Sequence, residues 1–189
     1  MKPYKTKVLF VILLMMLIPY YVCEADFLSF LKNFINNKKM MYFLLGMVSL
    51  LIVYKLPFFQ KWLDFLNLLQ HELVHMFVAG IFGSTPVAIE VNDKGGSVST
   101  TKSNFIIRLS PYFLPIFCLL ILGISLLLYD DYKPAAFILA GLFYGDFIAN
   151  TFPLNNQPDI QSSGGRLIAY PLICVLNLVV LIGIVQVVK

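Results

Sequence analysis

Charge is what this chain has least of: 13% of its 189 residues are charged, against 59% hydrophobic. Ordinary soluble domains carry about a quarter charged residues, so the composition excludes that class and points to a membrane protein. There is also no block of one sign. The formal charge of +4 is dispersed between the apolar runs, which argues against a nucleic-acid surface and leaves Lys and Arg as flanking anchors. The three cysteines, Cys23, Cys118 and Cys174, are odd in number and lack metal-type spacing, so they read as small core residues and not as a metal site. No internal repeat and no low-complexity segment is present. Histidine is scarcer still, with two in the whole chain, and both fall in one short motif.

What is present is long apolar sequence. Runs of roughly 20 residues suffice to cross the hydrocarbon layer, and six stretches qualify: about Lys7–Val22, Met40–Leu56, Trp62–Phe82, Phe105–Tyr129, Pro134–Asn150 and Leu167–Val188. The expected fold is an all-α, multi-pass integral membrane protein of about six transmembrane helices, with one short β-hairpin. Residues 1–25 read as an N-terminal transmembrane helix or a cleavable signal peptide, because Lys2, Lys5 and Lys7 precede a short apolar core and "VCEA". Residues 26–61 read as a surface helix (Phe27–Lys39, apolar at helical spacing) and a second span, and residues 62–189 as the core that holds the remaining spans. Alternate loops carry similar numbers of Lys and Arg, so orientation stays open. Thr85–Thr101 reads as the hairpin: Val87, Ile89 and Val91 alternate, "NDKGG" supplies the turn, and β-branched residues return. Gly141 and Gly145, four apart, invite close approach of another helix, for which the histidine-bearing one is the expected neighbour.

The two histidines sit in "HELVH", His71–His75, inside one of these runs. An ionisable residue within a membrane helix is costly and therefore marks function. On a helix, residues four apart share a face, so two imidazoles can bind one zinc ion while Glu72 takes a proton from its water. At about 100° per residue, Asp64, Asn67, His71 and His75 form one polar stripe on an apolar helix. Asn67 is placed to orient a ligand. Counted from Trp62, His71 falls roughly 14 Å along the helix, near mid-bilayer.

A catalytic zinc takes three protein ligands and keeps one position open. No histidine remains, so a carboxylate is the natural third ligand. Gly141–Leu167 is dense in Gly, Pro and Asn, the composition of irregular backbone, which at membrane depth must line a cavity or be buried in protein. Asp159 lies in that break and is the first choice; Asp146, one turn before Asn150, is the alternative.

"HELVH" in an apolar helix, the hairpin that follows, and "NTFPLNNQPD" with Asn150, Pro153 and Asp159 together resemble the intramembrane zinc metalloproteases of the site-2 protease type. The resemblance covers about Trp62 to Leu172, although Pro158 and Ile160 flank Asp159 where that family usually has Leu and Gly. It implies one zinc ion per chain held by His71, His75 and Asp159, with Glu72 as the catalytic base and Asn150 and Pro153 near the ligand or substrate. The implied activity is endopeptidase cleavage of membrane-protein or membrane-bound peptide substrates, in contact with the lipid bilayer. The alternative function is a non-proteolytic zinc-binding membrane protein: a transporter, a sensor or an inactive homologue. The open edge of the hairpin, around Ser97–Thr101, is suited to hold an extended peptide as an added strand.

Overall fold

Proline and polar side chains cut the apolar stretches into helices of unequal length. The structure, a computed structural model, describes residues 36–92, 95–151, 157–163 and 165–188. Along the chain run α1 (Lys38–Val53), α2 (Pro57–Ile81), β1 (Pro86–Asn92), β2 (Gly95–Thr100), α3 (Phe105–Leu109), a 3-10 turn (Ser110–Tyr112), α4 (Ile116–Ser125), α5 (Lys133–Thr151), α6 (Pro158–Ser162) and α7 (Gly165–Val188). Two strands in an otherwise helical chain form the expected antiparallel hairpin, with Ile89 opposite Val98 and an irregularity between Pro86 and Ala88.

The expectation of about six transmembrane helices is overturned. Among the described residues, one helix is long and apolar enough to cross a membrane, Leu167–Val188 in α7; the number reaches three only if each of two broken helix pairs is taken as one span. The reasons are local. α1 has 16 residues, about 24 Å at 1.5 Å per residue, short of the roughly 30 Å hydrocarbon layer. α2 has the length, at 25 residues, but Lys61, Asp64, Gln70, His71, Glu72 and His75 lower its hydropathy below that of a span on its own. In Phe105–Tyr129, Pro111 and Pro115 divide what reads as one helix. Neither proline can donate a helical backbone hydrogen bond, so α3 ends after five residues and α4 keeps only ten. α5 carries Asp146 and Asn150 in its last turns and likewise falls short. The stretch Lys7–Val22, most of Phe27–Lys39, and Pro153 lie outside the described residues.

The chain divides into two units. The first takes the described residues of Met1–Leu56, Phe117–Asn150 and Leu181–Lys189; the second takes those of Pro57–Ile116 and Thr151–Val180. In the first, α1 starts at Asn37, whose side chain accepts from the Met40 amide at 3.1 Å and satisfies one of the donors orphaned at a helix start. α1 and α5 meet almost backbone to backbone. A Cβ on Gly46 would lie 1.9 Å from the Ile138 carbonyl oxygen, and one on Gly141 would lie 1.9 Å from that of Phe43. The close approach expected at Gly141 therefore exists, but its partner is α1 and not the histidine-bearing helix. Phe43 and Tyr144 seal the same seam, their ring centroids 5.9 Å apart.

In the second unit, both hairpin strands pack on α2. Val74, Val78 and Ala79 of α2 bury against Ile107 of α3. Asn104 caps α3 by accepting from the Ile107 amide at 2.8 Å. α6 has five residues and is too short to persist alone. It is held because Ile160, 1% exposed, sits in a cluster with Leu109, Tyr112, Ala169 and Ile173, a burial that contributes about 1.5–3 kcal/mol.

The α1–α5 seam yields a stability test. Gly141→Ala should cost about 1–3 kcal/mol or more through overpacking, read as a lower thermal midpoint in detergent. Gly123→Ala, where a Cβ meets nothing within 4 Å, should leave the midpoint unchanged or slightly raised.

Candidate metal centre

The helical spacing of His71 and His75 stacks their rings edge to face, with centroids 4.9 Å apart, and turns both Nε2 atoms toward one carboxylate. His71 Nε2 lies 3.5 Å and His75 Nε2 3.4 Å from Asp159 Oδ2. Zinc holds nitrogen and oxygen ligands at about 2.0–2.1 Å in a tetrahedron, which sets its ligands about 3.3 Å apart. The two nitrogen–oxygen separations match that spacing, and this group of His71, His75 and Asp159, whose ligand atoms lie within 4.8 Å of one another, could hold a metal ion.

Each donor is oriented from behind. His75 Nδ1 lies 2.8 Å from the Ile107 carbonyl oxygen; a proton on Nδ1 donated there leaves Nε2 free as a ligand, the usual outer support of a metal-bound imidazole. Asp159 is set by α6, itself anchored through Ile160. Burial opposes ionisation of the Asp159 carboxyl, but hydrogen bonding and positive charge from His71 and His75 outweigh it and hold the group well below the usual carboxylate range. It therefore faces the imidazoles as an anion.

Glu72 is 5% exposed and lies against the hairpin. A Cβ on Gly96 of β2 would be 2.7 Å from Glu72 Cγ and 2.8 Å from Oε1. Only glycine at that position lets the strand pass so close without pushing the carboxylate aside.

Other residues singled out in the sequence lie elsewhere. Asn67 is half-buried on α2, one turn before His71. Asn150 and Asp146 are in the other unit, where they form a network with Tyr54. The Tyr54 hydroxyl donates to Asp146 Oδ1, and Asn150 Nδ2 donates to Tyr54 Oη at 2.9 Å and to Asp146 Oδ1 at 3.0 Å. This accounts for a buried carboxylate on an apolar helix without a metal. Pro153 is outside the described residues.

Three residues near the centre escaped the sequence reading: Ile107, Gly96 and Tyr112. The Tyr112 hydroxyl lies 3.3 Å from Asp159 Oδ2. The available signal is Ser110-Pro111-Tyr112, a polar, proline-bearing interruption of the apolar run Phe105–Tyr129. Compared with family models, curated proteins and solved structures, the chain finds no match.

Two tests follow from this geometry. Asp159→Ala should weaken zinc binding by more than about 100-fold, beyond the usual cost of losing an outer support, whereas Asp146→Ala should change it by no more than about twofold; competition with a chromogenic chelator measures both. Gly96→Val should leave zinc affinity within about twofold of wild type, because the added side chain meets Glu72 and none of the three donors; the same chelator competition checks it.

Proposed function

We propose that this chain is a zinc-dependent endopeptidase of the site-2 protease type, acting on peptide bonds of membrane-protein or membrane-bound substrates. The observation that carries this reading is the convergence of His71 Nε2 and His75 Nε2 on Asp159 Oδ2 at 3.5 and 3.4 Å, with Glu72 of the same helical turn beside them. Two imidazoles and a carboxylate make up a ligand set typical of hydrolytic zinc, which leaves one position open.

Zinc bound by His71, His75 and Asp159 would supply a water of lowered pKa and polarise the scissile carbonyl. The protein's own part is to hold and move a proton. Glu72, buried beneath β2, takes the proton from the attacking water and delivers it to the leaving nitrogen. A helix hides its carbonyls in internal hydrogen bonds, so the substrate is cut in an unwound stretch. The hairpin favours that form, because a two-stranded sheet keeps an open edge on which an extended peptide can pair. The apolar Leu167–Val188 segment, 28% buried across its best window, follows α6 in the chain and supports action at a membrane.

A glutamate beside the histidines also separates this reading from metal transport or sensing, which needs the two imidazoles but no base. Glu72→Gln should keep zinc affinity within about twofold and reduce cleavage at least about 100-fold, the lower range of what a positioned base contributes. The measurement is zinc content of the purified chain together with mass-spectrometric recovery of membrane-protein fragments from cells expressing wild type or variant. Identical fragment patterns from the two would leave a non-proteolytic zinc protein as the better account.

A further inference from the structure

Tyr112 belongs to none of the motif chemistry above, yet it reaches the centre from an element of its own. Its hydroxyl lies 3.3 Å from Asp159 Oδ2, the same oxygen that faces both imidazoles. Its ring meets that of His71 edge to face at 5.3 Å. The rest of the residue is pinned. Asn177 Nδ2 donates to the Tyr112 carbonyl oxygen at 2.7 Å, Pro111 stiffens the 3-10 turn that carries it, and its body is buried in the cluster that anchors α6.

The hydroxyl is thus what Tyr112 offers to the centre, and it is not firmly engaged there. Hydrogen bonds between oxygens run at about 2.5–3.0 Å, so 3.3 Å is a loose contact with an oxygen that a metal ligand role would claim. The His71 and Asp159 side chains are each 27% exposed, so the two groups the phenol touches are open to an incoming substrate, while Tyr112 itself is buried. A phenol, with an ordinary pKa of about 10, is a proton donor at neutral pH.

We infer that Tyr112 is a catalytic residue whose hydroxyl donates a hydrogen bond to the oxygen of the scissile carbonyl as negative charge gathers on it. The inference rests on the peptidase reading. In the addition step the water oxygen bonds to the carbonyl carbon, the carbonyl electron pair moves onto its oxygen, and one water proton passes to Glu72. In the collapse step that pair returns, the carbon–nitrogen bond breaks, and the proton on Glu72 goes to the leaving nitrogen. The second water proton stays with the new carboxyl group, which ionises to solvent. Tyr112 keeps its proton throughout and serves only as a fixed donor, a role that works best when the donor is held in place before the charge develops.

The test uses the full chain in detergent, loaded with zinc, with unfolded β-casein as substrate. Tyr112→Phe removes one oxygen and keeps the ring that packs against Ile160. The expected result is a fall in kcat of about 10²–10³-fold, the loss typical of one such donor, with KM and zinc affinity each changed by no more than about twofold. Replacing Tyr112 with 4-aminophenylalanine restores an N–H donor and should recover at least about tenfold of the lost rate, a rescue expected only if donation is what was lost. A fall in zinc affinity parallel to the fall in rate would overturn the inference, because Tyr112 would then act through Asp159. So would an unchanged kcat in Tyr112→Phe or no recovery with the amino analogue. Glu72→Gln in the same assay separates the two levels. Casein cleavage that needs Glu72 but not Tyr112 sinks this inference alone, whereas cleavage equal with and without Glu72 removes the peptidase reading and this inference with it.

Discussion

Bringing two imidazole nitrogens to within about 3.5 Å of one carboxylate oxygen is the constraint on which the rest of the second unit depends. Side chains this polar do not gather in an apolar protein without being held, because each loses hydration as it is buried. The α2 helix fixes the two histidines through its own period. Asp159 has no such guarantee: it rides on a five-residue helix whose position depends on Ile160 being enclosed by Leu109, Tyr112, Ala169 and Ile173. The Ile107 carbonyl then sets the face of the His75 ring. Buried hydrocarbon, a backbone acceptor and a helical repeat thus cooperate to hold one three-point donor set.

The first unit shows the opposite use of polarity. Asp146 is 3% exposed on a largely apolar helix, a position that in a chain of this composition suggests function. Its surroundings give it a structural role instead. Tyr54, at the end of α1, and Asn150, one turn along α5, direct donors to it, in the unit where Gly46 and Gly141 let the two helices touch. The two aspartates therefore differ in kind because of their neighbours: hydroxyl and amide donors around the buried Asp146, imidazole nitrogens around Asp159.

The hairpin links the centre to its surroundings. β2 passes over Glu72 at Gly96, so the strand with an open edge and the proposed base are set by a single packing contact. The outward residues of the hairpin include Val87, 69% exposed, and Ile89, 41% exposed, an apolar surface that accords with work beside a lipid phase.

Much of the centre was legible in the chain itself. His71, Glu72 and His75 are local, and a helix of any length places residues four apart on one face, so their grouping follows from spacing alone. The hairpin was equally legible, from alternation and turn residues. The number of membrane spans was not, because an apolar run reports burial and not continuity: Pro111 and Pro115 break one run, and polar groups on α2 and α5 disqualify others. Asp159 stood out because it lies in a break dense in Gly, Pro and Asn, but the support from Ile107, the space left by Gly96 and the approach of Tyr112 all join residues far apart in sequence. Such contacts have no period to read. They depend on which apolar surfaces close against one another, and only the folded chain decides that.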